Sequence, residues 1–333
     1  METLLLLIGV VTAAAVIAVL YRTRQAERAN PPIGQFMEVD GVRLHYVERG
    51  QGQPLVLLHG NGSMIQDFAI SGLVDLASTH YRVIVFDRPG YGYSARPRRK
   101  IWNPRAQAEL LHKALHRLGV VRPVVAGHSW GTLVTLALAL QYPAYVRSLV
   151  LLSGYYFPTF RLDVPLLSSP AIPVLGDIMR YTISPFLGRL MWPGLLRVIF
   201  GPAPVPPRFS QFPVWMALRP SQLRASAAES ALMIPAVIDL RRHYRELRMP
   251  VVIMAGADDR FVHANRHSVP LHDELPRSDL RLVPGAGHMV HQIVPHEVSA
   301  AIDSAAKQPD SDYRSNETVE KPENPKGPIG GKR

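Results

Sequence analysis

The stretch Gly127-His128-Ser129-Trp130-Gly131 decides the fold of this 333-residue chain. The apolar residues 124–126 before it predict a strand, and a helical pattern occupies residues 129–141. A G-x-S-x-G sequence between a strand and a helix predicts a sharp turn, because its glycines permit close backbone packing. Such a turn lifts the Ser129 hydroxyl clear of the sheet, whereas the alternative is an ordinary glycine-rich turn with a capping serine. The flanking pattern favours the first reading, so Ser129 is the candidate nucleophile.

Short apolar runs alternate with helical patterns between residues 33 and 306. Strands that alternate with helices predict right-handed crossovers and a doubly wound, mostly parallel sheet of the α/β class. In such sheets the active site lies at the carboxyl ends of the strands. The predicted strands cover residues 37–39 and 42–48, paired as a hairpin around Asp40-Gly41, then 55–58, 81–86, 124–126, 146–152, 251–255 and 279–283. The predicted helices cover residues 105–118, 129–141, 265–275 and 296–306.

A serine nucleophile needs a base to remove its proton, and the base needs a carboxylate to orient it. Asp258 and Asp259 follow the strand at residues 251–255, and His288 follows the last strand in a glycine-flanked loop. This order of Ser, Asp and His fits a G-x-S-x-G hydrolase. His291 and His296 are predicted to be solvated residues of the last helix. The pattern leaves open which aspartate orients His288, and the other would cap a helix or bond loop amides.

Two backbone amides are candidate donors to an oxyanion. Trp130 follows the nucleophile directly, and its N–H lies at the start of a helix. The strand at residues 55–58 ends in His59-Gly60-Asn61-Gly62, whose glycines allow the backbone to approach a ligand. The Asn61 N–H is therefore the second predicted donor. His59 is predicted to be structural and to hydrogen-bond this loop.

Taken as a set, these motifs resemble the α/β-hydrolase superfamily, in its epoxide hydrolase, haloperoxidase and esterase-like branch. The resemblance runs from about Gln35 to Ala306 in the expected order. It implies that Asp259 is the acid of the triad, and that Asp87 and Arg88 brace the loops. The stretches that carry it are His59-Gly-Asn-Gly62, Asp87-Arg-Pro-Gly-Tyr-Gly-Tyr-Ser94, Gly127-His-Ser-Trp-Gly131, Gly256-Ala-Asp-Asp259 and Gly287-His288.

The nucleophile position departs from part of that branch. Its haloalkane dehalogenases and epoxide hydrolases carry aspartate where this chain has Ser129, although Asn61 and Trp130 resemble the halide-holding residues of the dehalogenases. Serine favours acyl transfer to water, which includes cleavage of an ester, thioester, lactone, amide or activated C–C bond. The alternatives are an acyltransferase, a cofactor-free haloperoxidase or perhydrolase, a C–C bond hydrolase and a non-catalytic binding protein of the same fold.

Residues 3–21 carry no formal charge and predict one membrane-spanning helix. Nineteen residues at 1.5 Å per residue span about 28 Å, close to the hydrocarbon core of a bilayer. A cleaved signal peptide is the competing interpretation, but the flank Met1-Glu2-Thr3 lacks the basic character of one. Arg22, Arg24 and Arg28 follow the span, which by the positive-inside rule predicts that the catalytic domain is cytoplasmic.

Between residues 155 and 247 the alternation of strands and helices stops, which predicts an inserted helical cap over the nucleophile. We expect the cap to exclude water and to favour a small hydrophobic acyl substrate. The predicted organisation is an anchor and linker at residues 1–32, a hydrolase core at 33–154 and 248–306, the cap at 155–247 and a disordered tail at 307–333. The aromatic residues of the cap are Phe157, Phe160, Tyr181, Phe186, Trp192, Phe200, Phe209, Phe212 and Trp215.

Composition excludes several classes of function. With no cysteine in the chain, disulfides, thiolate zinc sites, iron–sulfur clusters and a cysteine nucleophile are ruled out. The formal net charge is +11, but none of the common nucleic-acid-binding motifs occurs, so no nucleic-acid partner is predicted. The proposed chemistry needs neither a metal nor an organic cofactor.

Overall fold

The computed structural model describes residues 1–159, 161 and 163–308. Within them, eight strands form one sheet in the order β1-β2-β4-β3-β5-β6-β7-β8. Phe160 and all of the predicted tail from residue 309 onward lie outside the described residues. Lys307, predicted to begin the tail, is instead the last residue of a helix.

The predicted doubly wound, mostly parallel sheet is confirmed. β1 pairs antiparallel with β2, and β2 pairs antiparallel with β4, while every other neighbouring pair is parallel. The central strands β5, β6 and β7 are buried along their whole length, as expected where helices cover both faces of a sheet. The strands are β1 Gln35–Val39, β2 Val42–Arg49, β3 Gln53–Leu58, β4 Tyr81–Phe86, β5 Val124–His128, β6 Ser148–Leu152, β7 Val251–Gly256 and β8 Ser278–Val283.

Thirteen α-helices lie within the described residues. Helices α4, α5 and α11 pack on one face of the sheet, and α2, α3 and α13 pack on the other. The helix predicted over residues 265–275 is divided into a 3₁₀ turn, Ala264–Arg266, and α11. The helices are α1 Glu2–Ala29, α2 Ile65–Ser71, α3 Leu73–Ala77, α4 Pro104–Arg117, α5 Trp130–Gln141, α6 Asp163–Ser168, α7 Leu175–Tyr181, α8 Ser184–Phe200, α9 Val214–Ala217, α10 Pro220–Arg241, α11 Ser268–Glu274, α12 Val290–Ile293 and α13 Pro295–Lys307.

Helices α6 to α10 lie between β6 and β7, where the sequence predicts the cap. The described part of this insertion contains no strand, only these helices and short 3₁₀ turns. A third apolar cluster joins the insertion to the core, and its members come from α1, the loop before α2, the cap and the loop after β8. They include Ala26, Met64, Phe200, Phe209, Phe212, Met216 and Met289.

The N-terminal helix α1 is long and apolar enough to cross a membrane, and nearly all of its apolar part is exposed. It is also longer than predicted, because residues 22–29, expected to belong to a linker, continue the same helix. The end of α1 contacts the body of the protein. Arg219 forms an ion pair with Glu27 at 2.8 Å, and the Tyr93 hydroxyl donates to the Asn30 carbonyl at 2.6 Å.

Candidate active site

Ser129 sits on a strained turn between β5 and α5. Its φ of 53° and ψ of −120° lie outside the regions that residues with a side chain ordinarily adopt. The turn is held because the Ser129 N–H donates to the Leu152 carbonyl at 2.9 Å. Helix α5 also packs so closely on β3 that a Cβ on Gly131 would lie 2.2 Å from the Leu58 oxygen. The half-buried Ser129 hydroxyl has no hydrogen-bond partner among the described residues.

Asp259 and His288 meet at the same edge of the sheet. His288 Nδ1 lies 2.8 Å from Asp259 Oδ2, and both residues are buried. The other oxygen, Oδ1, accepts hydrogen bonds from the N–H groups of Phe261 and Val262 at 2.8 Å each. Asp258 is exposed and accepts a hydrogen bond from the Gly285 N–H, which is the loop-bonding role expected for the other aspartate. The geometry therefore pairs Asp259, and not Asp258, with His288.

The cap holds the loop that carries His288. The Ile199 carbonyl, near the end of α8, accepts a hydrogen bond from the His288 N–H at 2.8 Å. A Cβ on Gly287 would lie 2.6 Å from the Gly201 oxygen, so only glycine permits this approach. From the other side, His128 Nε2 lies 3.1 Å from the His288 carbonyl oxygen. The position of His288 thus depends on contacts from both the cap and the turn around Ser129.

The two predicted oxyanion donors flank Ser129. The backbone of Gly60 lies so close to Ser129 that a Cβ on Gly60 would be 3.1 Å from Ser129 Cβ. The loop that contains Asn61 therefore lies against the serine. In the described part of the chain, neither the Asn61 N–H nor the Trp130 N–H donates to another group. The Trp130 indole N–H is likewise buried without a partner there. These three N–H groups therefore have no hydrogen-bond partner among the described residues.

The Asn61 side chain is engaged with the cap. Its Nδ2 group lies 3.2 Å from both the Ser226 carbonyl oxygen and Ser230 Oγ on α10. Its Oδ1 accepts a hydrogen bond from the Tyr91 hydroxyl at 2.9 Å. The side chain of Asn61 therefore ties its loop to the cap.

A buried ion pair stabilises the same loop. Arg88 donates from Nε to the His59 carbonyl and from Nη2 to the Gly60 carbonyl, at 2.8 and 3.0 Å. Its charge is compensated by Glu229 of α10, 2.5 Å away and fully buried. Glu229 also accepts from the Tyr91 hydroxyl and from Gln107. The predicted bracing role of Arg88 is confirmed, but sequence reasoning missed Glu229, whose only signal is an acidic residue in a largely apolar helix.

Asp87 braces the neighbouring loop, as the resemblance implies. Its carboxylate accepts hydrogen bonds from the N–H groups of Ile65 and Tyr93, each at 2.9 Å. His45 Nδ1 lies 2.6 Å from the same carboxylate. Asp87 thereby ties β2 and the start of α2 to the end of β4.

His59 is buried and structural, as predicted. Its Nδ1 lies 2.8 Å from the Gly60 oxygen, and its Nε2 accepts a hydrogen bond from the Arg88 N–H. Burial, assisted by the positive charge of Arg88, lowers the pKa of His59 to about 4. The imidazole is therefore neutral at pH 7.

His291 is not solvated, so that prediction was wrong, whereas His296 is exposed. His291 Nε2 lies 3.0 Å from Asp67 Oδ1, below the site. With His128 these residues form a group whose ligand atoms lie within 4.8 Å of one another, a spacing compatible with a metal ion. However, Asp67 also accepts hydrogen bonds from Ser63 and Gln292. Asp67 thus joins α2 to α12, while His128 Nδ1 and His291 Nδ1 are buried without a hydrogen-bond partner among the described residues.

Comparison with known proteins identifies the class. The sequence profile of the α/β hydrolase fold matches residues 53–292, and the chain belongs to this family. The protein is thus an α/β-fold hydrolase.

Individual relatives span several chemistries. The chain is 28% identical over 271 residues to the 2-hydroxy-6-oxo-2,4-heptadienoate hydrolase of Pseudomonas putida F1, covering 78% of this chain and 91% of that enzyme. It is 26% identical over 271 residues to haloalkane dehalogenase 2 of Mycobacterium tuberculosis H37Rv, covering 78% and 90%. A bacterial membrane phospholipase A, described as a virulence factor, superposes with a TM-score of 0.64 at 22% identity, over 92% of this chain and 100% of that one.

The Arg88–Glu229 pair predicts a large effect on stability. Glu229→Gln leaves the buried guanidinium without a counter-charge, so we expect the free energy of unfolding to fall by about 3 kcal/mol or more. Asp239→Asn on the same helix removes an exposed partner of Arg105 and is expected to cost less than about 1 kcal/mol. Urea denaturation of both variants in detergent solution makes the comparison. Equal losses in the two variants would contradict a dominant role for the buried pair.

The lowered pKa of His59 predicts acid sensitivity. The unfolded chain binds a proton at His59 below its ordinary pKa of about 6.5, whereas the folded protein does so only near 4. This contribution to stability is therefore complete above about pH 6.5 and is lost as the pH falls towards 4. Between pH 7 and pH 5, His59 accounts for a loss of about 2 kcal/mol.

Urea denaturation of the His59→Asn variant at both pH values tests this linkage. The difference in unfolding free energy between the two pH values is expected to shrink by about that amount. His296→Asn, at an exposed histidine, is the matched control and is expected to leave the difference unchanged. An unaltered pH dependence in His59→Asn would show that other groups cause the acid sensitivity.

Proposed function

We propose that this protein is a membrane-anchored serine hydrolase that cleaves a hydrophobic acyl substrate. The observation that carries the proposal is the 2.8 Å contact between Asp259 Oδ2 and His288 Nδ1 at the edge of the sheet that carries Ser129. A carboxylate held by two backbone amides and bonded to an imidazole is the arrangement that keeps a general base in the correct tautomer.

The proposed reaction proceeds in two acyl-transfer steps. His288 Nε2 takes the proton of Ser129 as its oxygen attacks the acyl carbonyl, and then gives that proton to the leaving group. Water attacks the acyl-enzyme in the same way, with His288 again acting first as base and then as acid. Asp259 orients the imidazole and stabilises its positive charge in both steps.

The backbone amides of Asn61 and Trp130 are proposed to stabilise the oxyanion. Both are free of other partners in the described residues; Trp130 follows the serine in the chain, and the loop of Asn61 approaches it through Gly60. Fixed donors of this kind contribute to catalysis because they need no reorganisation as charge develops, and each is worth about 3 kcal/mol.

The environment of His288 supports an apolar substrate. The Phe261 ring packs edge-on against the His288 ring at 5.0 Å, and the cap contributes Phe200, Phe209 and Phe212 to the neighbouring cluster. The likeness to a membrane phospholipase A and the apolar helix α1 support a substrate found at a membrane. Arg22, Arg24 and Arg28 support a cytoplasmic position for the catalytic domain.

C–C bond hydrolysis is the second candidate. Both the Pseudomonas putida enzyme above and the 2-hydroxymuconate semialdehyde hydrolase of Pseudomonas sp. CF600 are 28% identical to this chain over most of its length. A serine triad suits that chemistry as well, because the bond cleaved lies next to a carbonyl group. Turnover of a 2-hydroxy-6-oxo-dienoate, but not of p-nitrophenyl esters, would favour it over the ester hydrolase.

A fluorophosphonate probe tests the nucleophile. The full-length protein in detergent is expected to be labelled, and Ser129→Ala is expected to lose the label because it removes the proposed nucleophile. Ser153→Ala, at a buried serine after the neighbouring strand, is the control and keeps the label. Absence of labelling in the wild-type protein, while another serine hydrolase in the sample reacts, would refute the mechanism.

The two adjacent aspartates offer a matched test of the acid. Asp259→Asn removes the carboxylate that orients His288, and kcat for p-nitrophenyl butyrate is expected to fall about 10⁴-fold. Asp258→Asn changes a loop contact only, so kcat is expected to stay within about threefold of wild type. The reverse order of effects would assign the triad acid to Asp258.

A further inference from the structure

The cap carries an extensive exposed apolar surface. Of the thirty large apolar side chains exposed in the described residues, ten lie in α1 and fourteen lie between residues 163 and 198. Such clustering is unusual, because single exposed apolar residues are normally scattered over a soluble surface. We define the cap face as the exposed members on α7 and α8, namely Leu175, Ile178, Tyr181, Phe186, Leu187, Leu190, Met191, Leu195 and Val198.

Helix α8 is apolar on two opposite sides. Its inner side packs on the cap, since a Cβ on Gly188 would touch Leu218 and the Trp192 ring stacks on Phe212 at 5.6 Å. Its outer side repeats at helical spacing and includes Leu190, which is 78% exposed. An apolar helix surface is most stable where it is removed from water, and no described segment covers the outer side of α8.

The cap face begins where α1 leaves its apolar span. Arg22, the first charged residue after that span, lies with its guanidinium 5.5 Å from the Trp215 ring of α9. The same ring contacts Phe186 of α8 at 6.2 Å. The ion pair between Glu27 and Arg219 and the hydrogen bond from Tyr93 to Asn30 fix this end of α1 to the body. A bilayer crossed by residues 3–21 would therefore have its surface beside the cap face.

We propose that the cap face lies in the interfacial layer of the bilayer that α1 spans, and that the acyl substrate reaches Ser129 from that bilayer. This deepens the proposed function and rests on it for the identity of the substrate. The occupant is a lipid surface with anionic headgroups, because the exposed Arg189 and Arg197 on α8 have no carboxylate partner among the described residues. Apolar area together with basic residues is what binds an interfacial helix to an anionic membrane.

The proposal links membrane contact to the catalytic machinery through α8. That helix ends at Phe200, and the carbonyl of Ile199 accepts the hydrogen bonds of His288 and Met289. The helix that would rest on the lipid thus also holds the loop of the general base. Substrate drawn from the bilayer would pass along this helix, with no step through water.

The absence of cysteine makes a direct depth measurement possible, since one introduced cysteine carries the only label. Full-length Leu190→Cys, labelled with bimane and reconstituted in phosphatidylcholine vesicles containing phosphatidylglycerol, is expected to be quenched by lipids carrying a nitroxide. The matched control is Val121→Cys, which is 69% exposed and lies before β5, at the opposite edge of the sheet. If the bimane at position 190 is quenched no more than the bimane at position 121, the proposal is overturned.

The Leu190→Cys variant, labelled with pyrene in place of bimane, distinguishes contact with lipid from contact with a second copy of the chain. Excimer emission requires two pyrene groups in contact. We therefore expect none, whether each vesicle carries one protein or several. Excimer emission that rises with density, without quenching by nitroxide lipid, would assign the cap face to a protein dimer and overturn the bilayer proposal.

Activity measurements then separate this inference from the proposed function. Leu187→Asn/Leu190→Asn is expected to lower turnover of a long-chain acyl ester embedded in vesicles about tenfold, and to leave turnover of soluble p-nitrophenyl butyrate unchanged. The soluble substrate also reports that the variant is folded. Equal turnover of the embedded ester in variant and wild type overturns the docking alone, whereas no turnover of either ester by the wild type overturns the acyl hydrolase.

Discussion

The buried charge of Arg88 is the interaction on which the site depends. A guanidinium removed from water is costly unless its donors are satisfied, and here they bind the carbonyl groups of His59 and Gly60 and the carboxylate of Glu229. Glu229 belongs to the cap and Arg88 to the core. The Arg88–Glu229 pair therefore fixes the position of the loop that contains Asn61 and holds α10 against that loop. Neither the loop nor α10 can move away without leaving a buried charge unpaired.

The cap consequently helps to position the loops of the candidate active site. It reaches the site at three places, through Glu229, through the bonds to the Asn61 side chain, and through the Ile199 carbonyl that holds His288. The core supplies the strained turn at Ser129 and the carboxylate of Asp259. Since the loops of Asn61 and His288 contact both the core and the cap, motion of the cap would alter the positions of Asn61 and His288 together.

The fold by itself does not determine the substrate specificity of this protein. Relatives with the same fold include C–C bond hydrolases and dehalogenases, so the fold does not select the bond that is cleaved. Under the proposed function, Ser129 narrows the chemistry to acyl transfer, because a serine nucleophile forms a serine ester and not an aspartyl ester. Under the same proposal, the cap selects the substrate through its buried aromatic residues and its exposed apolar side.

Local patterns in the sequence predicted the strands, the turn at Ser129 and the loops of Asp259 and His288, because each depends on neighbouring residues: apolar runs, glycines and strand ends. They could not choose between Asp258 and Asp259, since adjacent residues point in different directions and only the path of the loop decides which carboxylate meets His288. Nor could they find Glu229 or place His291 in the interior, because those residues pair with Arg88 and Asp67, more than a hundred positions away. The sequence by itself determines features that depend on neighbouring residues. The partner of a buried charge is decided only by the tertiary structure, because the two residues meet when distant segments pack together.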